Sequence, residues 1–78
     1  MPSVKIYTTP NCVFCRMSKE FFKANNIQYQ ELDVARDIPA REYMIQKSGQ
    51  FGVPVIEIDG NLVIGFDKSR LSELLGVR

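Results

Sequence analysis

The chain has no histidine and only two cysteines among its 78 residues. Without imidazole the commonest general base is missing, which excludes Cys–His hydrolase chemistry. Two cysteines alone cannot fill a four-coordinate structural zinc site within one chain. A metal or iron–sulfur cluster held between two copies stays open as an alternative. Two cysteines are also too few for a secreted disulfide scaffold, which usually carries several pairs. Net charge is nearly absent: 10 basic against 9 acidic residues leave +1. That balance offers nothing to nucleic acid or an anionic membrane surface. No apolar run approaches the roughly 20 residues of a membrane-spanning helix. No basic-then-apolar leader opens the chain, so a cytoplasmic location is expected. A hydrophobic share of 45% is ordinary for a folded protein. The expectation is one domain over residues 1–78, present as a monomer, near the lower size limit for a core without staples.

What is present is organised around Cys12-Val13-Phe14-Cys15. A strand-like run, Val4 to Thr8, leads through Thr9-Pro10-Asn11 into the cysteines, and a helix-like run continues from Phe14 to Ala24. Cysteines two residues apart at a strand-to-helix junction form a redox signature. A helix start presents unpaired N–H groups and the positive end of the backbone dipole. Both favour the thiolate, the reactive form of cysteine. Cys12, nearest the start, is read as the solvent-facing nucleophile. Cys15, one turn further in, is read as the resolving thiol. A structural disulfide is the competing reading, but a loop this short gains little by the chain-entropy argument.

Along the chain, Val4 and Ile6 alternate with Lys5 and Tyr7 in the first strand. Asn11 is expected to cap the first helix. In that helix Phe14, Met17, Phe21 and Ala24 define an apolar face, widened by Phe22. Asn25-Asn26 is the expected stop. Ile27 to Val34 reads as a second strand, and strand–helix–strand of this length predicts a parallel βαβ unit. Asp37 caps a second helix with Pro39 in its first turn, running to Lys47 or Ser48 before Gly49. Ile38, Ala40 or Arg41, Tyr43, Met44 and Ile45 give it a weaker apolar face than the first helix has. Phe51-Gly52-Val53-Pro54 is a loop, Val55 to Ile58 a strand, and Asp59-Gly60 a two-residue hairpin turn that Asn61 can lengthen. Leu62 to Ile64 returns antiparallel. Asp67 caps a last helix carrying Leu71, Leu74 and Leu75, ended by Gly76. The expected class is α/β: a βαβ-α-ββα order giving a four-stranded mixed sheet with three helices.

Together, the strand into Cys12-Val13-Phe14-Cys15, Gly52-Val53-Pro54 before the third strand, and Asp59-Gly60 with Gly65-Phe66-Asp67 resemble a glutaredoxin, a minimal member of the thioredoxin fold. The resemblance spans nearly the whole chain and implies a thiol–disulfide oxidoreductase acting through Cys12 and Cys15. It implies no tightly bound cofactor, and as partners disulfide-bearing proteins. The reductant would be glutathione, or thioredoxin reductase with NADPH. By base rate an X–Pro bond is trans; the resemblance implies that Val53–Pro54 is cis, beside the cysteines. It further implies that Val53 offers its backbone to an extended substrate segment. Glutaredoxins commonly place threonine where Gly52 stands, and a lysine at Thr9 that helps bind glutathione. Between the cysteines they often carry proline and tyrosine; here Val13 reads as an exposed rim residue. Phe14 suits the rim and the helix core face about equally.

Gly65 and Asp67 match the second glycine and the aspartate of the family's Gly-Gly-small-Asp glutathione motif. Ile64 and Phe66 replace the other two residues. Asp67 has capping as a competing role. Arg16 and Lys19 could supply the charge missing at Thr9, although a solvated face is the plainer reading. The Gly-Phe pair also resembles the glutaredoxin-like redoxins that reduce ribonucleotide reductase, which take electrons from thioredoxin reductase. The two reductants are left open by the sequence. A redox sensor without turnover is the remaining alternative.

Overall fold

The computed structural model describes residues 2–77. Strands β1 (Val4–Thr8), β2 (Gln30–Asp33), β3 (Val55–Ile58) and β4 (Asn61–Ile64) form one sheet in the order β2-β1-β3-β4. Helices α1 (Val13–Ala24), α2 (Ile38–Ser48) and α3 (Lys68–Leu75) fall between and after them as expected. The β1–β2 pair is parallel and the β1–β3 and β3–β4 pairs are antiparallel, so the sheet is mixed. Among the described residues no helix is long and apolar enough to cross a membrane.

Strand alternation divides the core between two faces. Val4, Ile6, Ile56, Ile58 and Val63 point to one face, where they pack with Phe21, Phe22 and Leu71 of α1 and α3. Tyr7 and Val55 point to the other, with Val34 and with Met44 of α2. β1 and β3 are the inner strands and are covered on both sides. Phe22, Ile6, Ile56 and Leu71 have no exposed surface.

Three sequence expectations need correction. The buried side of α1 is Cys15, Ser18, Phe21 and Phe22, while Phe14 and Met17 are 58% and 40% exposed and Ala24 is exposed too. Aromatic residues occur on more than one stripe of this helix, so spacing alone selects the wrong one. Ser18 can enter the core because its hydroxyl donates to the Phe14 carbonyl one turn back at 2.8 Å. In α2, Ile38 is likewise exposed and Met44 alone is buried.

The second correction concerns β2, which begins at Gln30 rather than Ile27. Asn26 turns the chain with φ 57°, and the Ile27 N–H still bonds the Phe22 carbonyl of α1 at 2.8 Å. That donor is therefore unavailable to a ladder. Ile27 and Tyr29 pack against the core as helix-to-strand connection instead. The third concerns Asn61, which pairs with Ile58 in the hairpin rather than lengthening its turn. Asp59 and Gly60 alone turn the chain, with φ 49° and 87°.

Asp37 and Asp67 cap α2 and α3, their Oδ1 atoms accepting from the Ala40 and Arg70 N–H groups at 3.1 Å each. α1 is capped differently, as described below. A polar cluster ties α1 to the sheet. Lys19 donates to Glu31 of β2 at 2.9 Å, and the buried Thr8 hydroxyl donates to the same carboxylate oxygen at 3.1 Å. The Lys19 bond, aided by Thr8 and opposed by partial burial, holds the Glu31 carboxyl below its ordinary range. On the opposite face, burial first and the Glu57 carboxylate second push the Tyr7 phenol up to about 12. Tyr43 stacks on Tyr7 with centroids 6.0 Å apart and donates to Glu57 at 3.0 Å.

Phe22→Ala should cost about 3–5 kcal/mol of unfolding free energy, whereas Phe14→Ala should stay within about 0.5 kcal/mol. Urea denaturation of both variants checks the helix orientation. Equal losses would place Phe14 in the core. Glu31 has a lowered folded value, so its contribution is present above the ordinary carboxylate value and is lost as pH falls through the folded one. The stability gap between wild type and Glu31→Gln should therefore be largest near neutrality, close at acid pH, and shrink in 1 M salt, on the order of the Debye-screening limit for exposed pairs.

Candidate functional site

Four chain segments meet at one end of the sheet, and register puts them there. β1 and β2 run parallel and end together at Thr8 and Asp33. β3 runs the other way and starts there, with Val55 opposite Tyr7. Continuing that register sets Val53–Pro54 beside Thr8–Thr9. β4 ends beside the start of β3, and the Gly65 N–H donates to the Pro54 carbonyl at 2.8 Å. Cys12 follows β1 after one turn, so the cysteines open onto this end.

Cys12 and Cys15 are joined in a disulfide, with their Cα atoms 5.2 Å apart. Cys12 itself is the N-cap of α1, in extended conformation at φ −116° and ψ 111°. Asn11 was the expected cap, and the structure replaces it with sulfur. The Cys15 N–H donates to Cys12 Sγ at 3.1 Å, the bond an Asp or Ser cap makes through oxygen. The Arg16 N–H donates to the Cys12 carbonyl at 3.2 Å, closing the first turn. No acidic side chain stands in that turn, so nothing there offsets the positive end of the helix dipole. Cys12 is half-buried, and Cys15 lies in the core at 1% exposure. The pair is thus asymmetric: one sulfur reaches solvent and carries an N–H donor, while the other is shielded behind it.

A cavity of about 420 Å³ beside Cys12 is lined by the Thr8–Val13 segment together with Arg16, Lys19, Glu31 and Asp33. Lys19 is therefore part of a bonded cluster and not simply solvated. Arg16 has no ion-pair partner among the described residues. Thr9 brings no charge of its own to this cavity.

The Val53–Pro54 bond is cis, and Pro54 is buried. Val53 is partly buried, and neither its N–H nor its C=O has a hydrogen-bond partner among the described residues. Gly65 has φ 80°, a conformation that disfavours side chains. Phe66 turns back onto Phe21, with ring centroids 6.0 Å apart in an edge-on contact. It lines a shallow apolar groove with Met17 and Ala24 on the outer side of α1. Asp67 caps α3, so one carboxylate oxygen is already engaged. Val13 and Phe14, which lie between the cysteines in the chain, are each 58% exposed, and Ile64 and Phe51 are exposed as well.

Sequence reasoning passed over Gln50. Its side chain folds back onto Gly52: the Gly52 N–H donates to Gln50 Oε1 at 2.8 Å, and Gln50 Nε2 donates to the Gly52 carbonyl at 3.0 Å. A Cβ at residue 52 would stand 2.9 Å from that oxygen. A side chain at residue 52 would therefore have to displace the Gln50 amide. The one available signal was the glycine itself, where a threonine was expected.

Known proteins are similar to this chain in sequence and in fold. The glutaredoxin family profile matches residues 4–63. A glutaredoxin-like 8.6 kDa protein of the rubredoxin operon of Clostridium pasteurianum, itself uncharacterized, is 46% identical over 72 residues, covering 92% of this chain and 96% of that one. Glutaredoxin 3 of Escherichia coli K12 is 36% identical over 67 residues, covering 86% and 81%. The crystal structure of the thioredoxin-like protein BC3987 superposes with a TM-score of 0.87 at 38% identity, covering 92% of this chain and 99% of that one. With the thioredoxin fold, the paired Cys12 and Cys15 and a family match over most of its length, the chain belongs to the glutaredoxin family.

Proposed function

We propose that the protein is a dithiol thiol–disulfide oxidoreductase that reduces disulfides in protein substrates. The observation that carries this reading is the asymmetry of the pair: a half-exposed Cys12 whose sulfur caps α1, and a Cys15 at 1% exposure behind it. In the reduced enzyme, the Cys12 thiolate attacks one sulfur of a substrate disulfide. The S–S bond breaks, one substrate thiolate leaves and takes up a proton, and a mixed disulfide forms. Cys15 then loses its proton and attacks Cys12 Sγ. The second substrate thiol departs, and the Cys12–Cys15 disulfide remains. Two electrons have passed from enzyme to substrate. Val53 serves by pairing its open N–H and C=O with the extended segment that carries the target cysteine.

A reductant must then reopen the Cys12–Cys15 bond. Glutathione and thioredoxin reductase with NADPH both supply the two electrons. Three features favour the protein donor. Thr9 brings no cation for a glutathione carboxylate. Asp67 has one oxygen committed to the Arg70 N–H. Val13 and Phe14, between the cysteines in the chain, are exposed apolar residues, and exposed apolar surface suits protein contacts. A reducing compartment such as the cytoplasm is where a dithiol of this kind works.

NADPH oxidation by the disulfide form should be fast with thioredoxin reductase and slow with glutathione plus glutathione reductase. The reverse would mean that Gly65 and Asp67 still hold glutathione. Cys12→Ser should reduce turnover to background. Cys15→Ser should accumulate mixed disulfides with protein substrates, visible by non-reducing electrophoresis. Activity in Cys12→Ser with none in Cys15→Ser would invert the assigned roles.

A further inference from the structure

The cavity beside Cys12 holds a charge that nothing answers. Four charged side chains line it: Arg16, Lys19, Glu31 and Asp33. Three of them are engaged. Lys19 is bonded to Glu31 at 2.9 Å, and the same carboxylate oxygen accepts from the Thr8 hydroxyl at 3.1 Å. Asp33 faces Arg36 at 3.8 Å and accepts from the Ala35 N–H at 3.0 Å. Arg16 is exposed and has no ion-pair partner among the described residues. The unanswered charge is therefore positive. It stands in the first turn of α1, which has no acidic side chain, and the helix dipole there adds to it.

The cavity lies across β1 from Val53. Glu31 and Asp33 belong to β2, Val53 precedes β3, and the strand order is β2-β1-β3-β4. Cys12 follows β1 and lines the cavity. A segment held at Val53 with its sulfur on Cys12 thus carries one flank over the cavity. In an extended segment, side chains two residues apart point to the same face, about 7 Å apart. The target cysteine points at Cys12, so its neighbours two positions away point at this protein too. We propose that Arg16 is a specificity-determining residue: its guanidinium receives the carboxylate of an Asp or Glu two positions from the target cysteine of a protein substrate. The inference rests on the disulfide reduction assigned to Cys12 above and adds the charge that the substrate segment carries. The planar guanidinium fork matches a carboxylate with two parallel bonds. A Lys or Arg at the same substrate position meets an unpaired like charge and is disfavoured. Glutathione carries carboxylates as well, so the test separates it from a protein segment.

Three peptide disulfides test this. They carry Glu, Gln or Lys at both positions two residues from the target cysteine and are otherwise identical. Their kcat/KM values are measured with wild type, Arg16→Gln and Arg16→Glu, alongside oxidised glutathione. Arg16 is exposed, so both variants should melt close to wild type. Any change in Cys12 acidity moves all three peptides alike and cancels in their ratios. Wild type should favour the Glu peptide over the Gln peptide about 3-fold, the scale of one partly exposed ion pair. That preference should fade in about 1 M salt. Arg16→Gln should treat the Glu and Gln peptides alike, and Arg16→Glu should favour Lys over Glu. No discrimination by wild type, or the same discrimination by Arg16→Gln, would overturn the proposal while the redox reading stands. A loss in Arg16→Gln confined to oxidised glutathione would assign the guanidinium to a small thiol and overturn it too. Wild-type protein inactive on every disulfide would remove the parent reading, and this one with it.

Discussion

The hydrogen bond from the Cys15 N–H to Cys12 Sγ, 3.1 Å long, is the contact on which the proposed chemistry depends. It exists only if α1 starts at Val13, with Cys12 still extended and Cys15 already helical. That phase depends on the rest of the molecule. β1 is buried between two partners and two core faces, so its end point is well defined. α1 is held in one rotation by Phe22 and Ser18 against the sheet, and by Lys19 to Glu31 at its side. Rotate the helix by one residue and Cys15 leaves the core. The same packing that sets the helix orientation therefore makes one sulfur accessible and the other sheltered.

Much of this was legible in the sequence because the signals were local and strong. The capping residues Asp37 and Asp67, the stop at Asn25-Asn26, the hairpin at Asp59-Gly60 and the cysteine spacing each have a short-range physical cause. The α1 face was misread because Phe14, Met17, Phe21 and Phe22 supply more apolar residues than one stripe holds. Tertiary packing then chose the stripe containing Cys15 and Ser18, and Ser18 hid its polarity within the helix. The start of β2 was misread because Ile27 looks like a strand residue, yet its N–H belongs to the helix end. Neither outcome is written in residue type; both depend on where a partner stands.

The site shows the same division. Cys12 and Cys15 announce themselves by spacing. The cis Val53–Pro54 bond came only through likeness to a family, because composition alone favours trans. Gln50 had no signal of its own, since a glutamine in a loop is ordinary until its amide is seen against Gly52. Phe66, which stands where the family motif has a small residue, rests on Phe21. Departures from the family's pattern at residues 9, 52, 64 and 66 thus fall into two kinds. Gly52 is matched by a local partner, Gln50. Thr9 brings no charge to the cavity beside Cys12, while Ile64 is exposed and Phe66 packs on Phe21.

The central claim is that fold geometry activates Cys12 and shelters Cys15. The most direct measurement is the alkylation of the reduced protein by iodoacetamide under brief exposure, with each modified cysteine located by mass spectrometry across a pH series. The account predicts that Cys12 is modified first, faster than an ordinary free cysteine at neutral pH, while Cys15 stays unmodified until the protein is unfolded. Modification of Cys15 first, or of both at the rate of an unperturbed thiol, would contradict it.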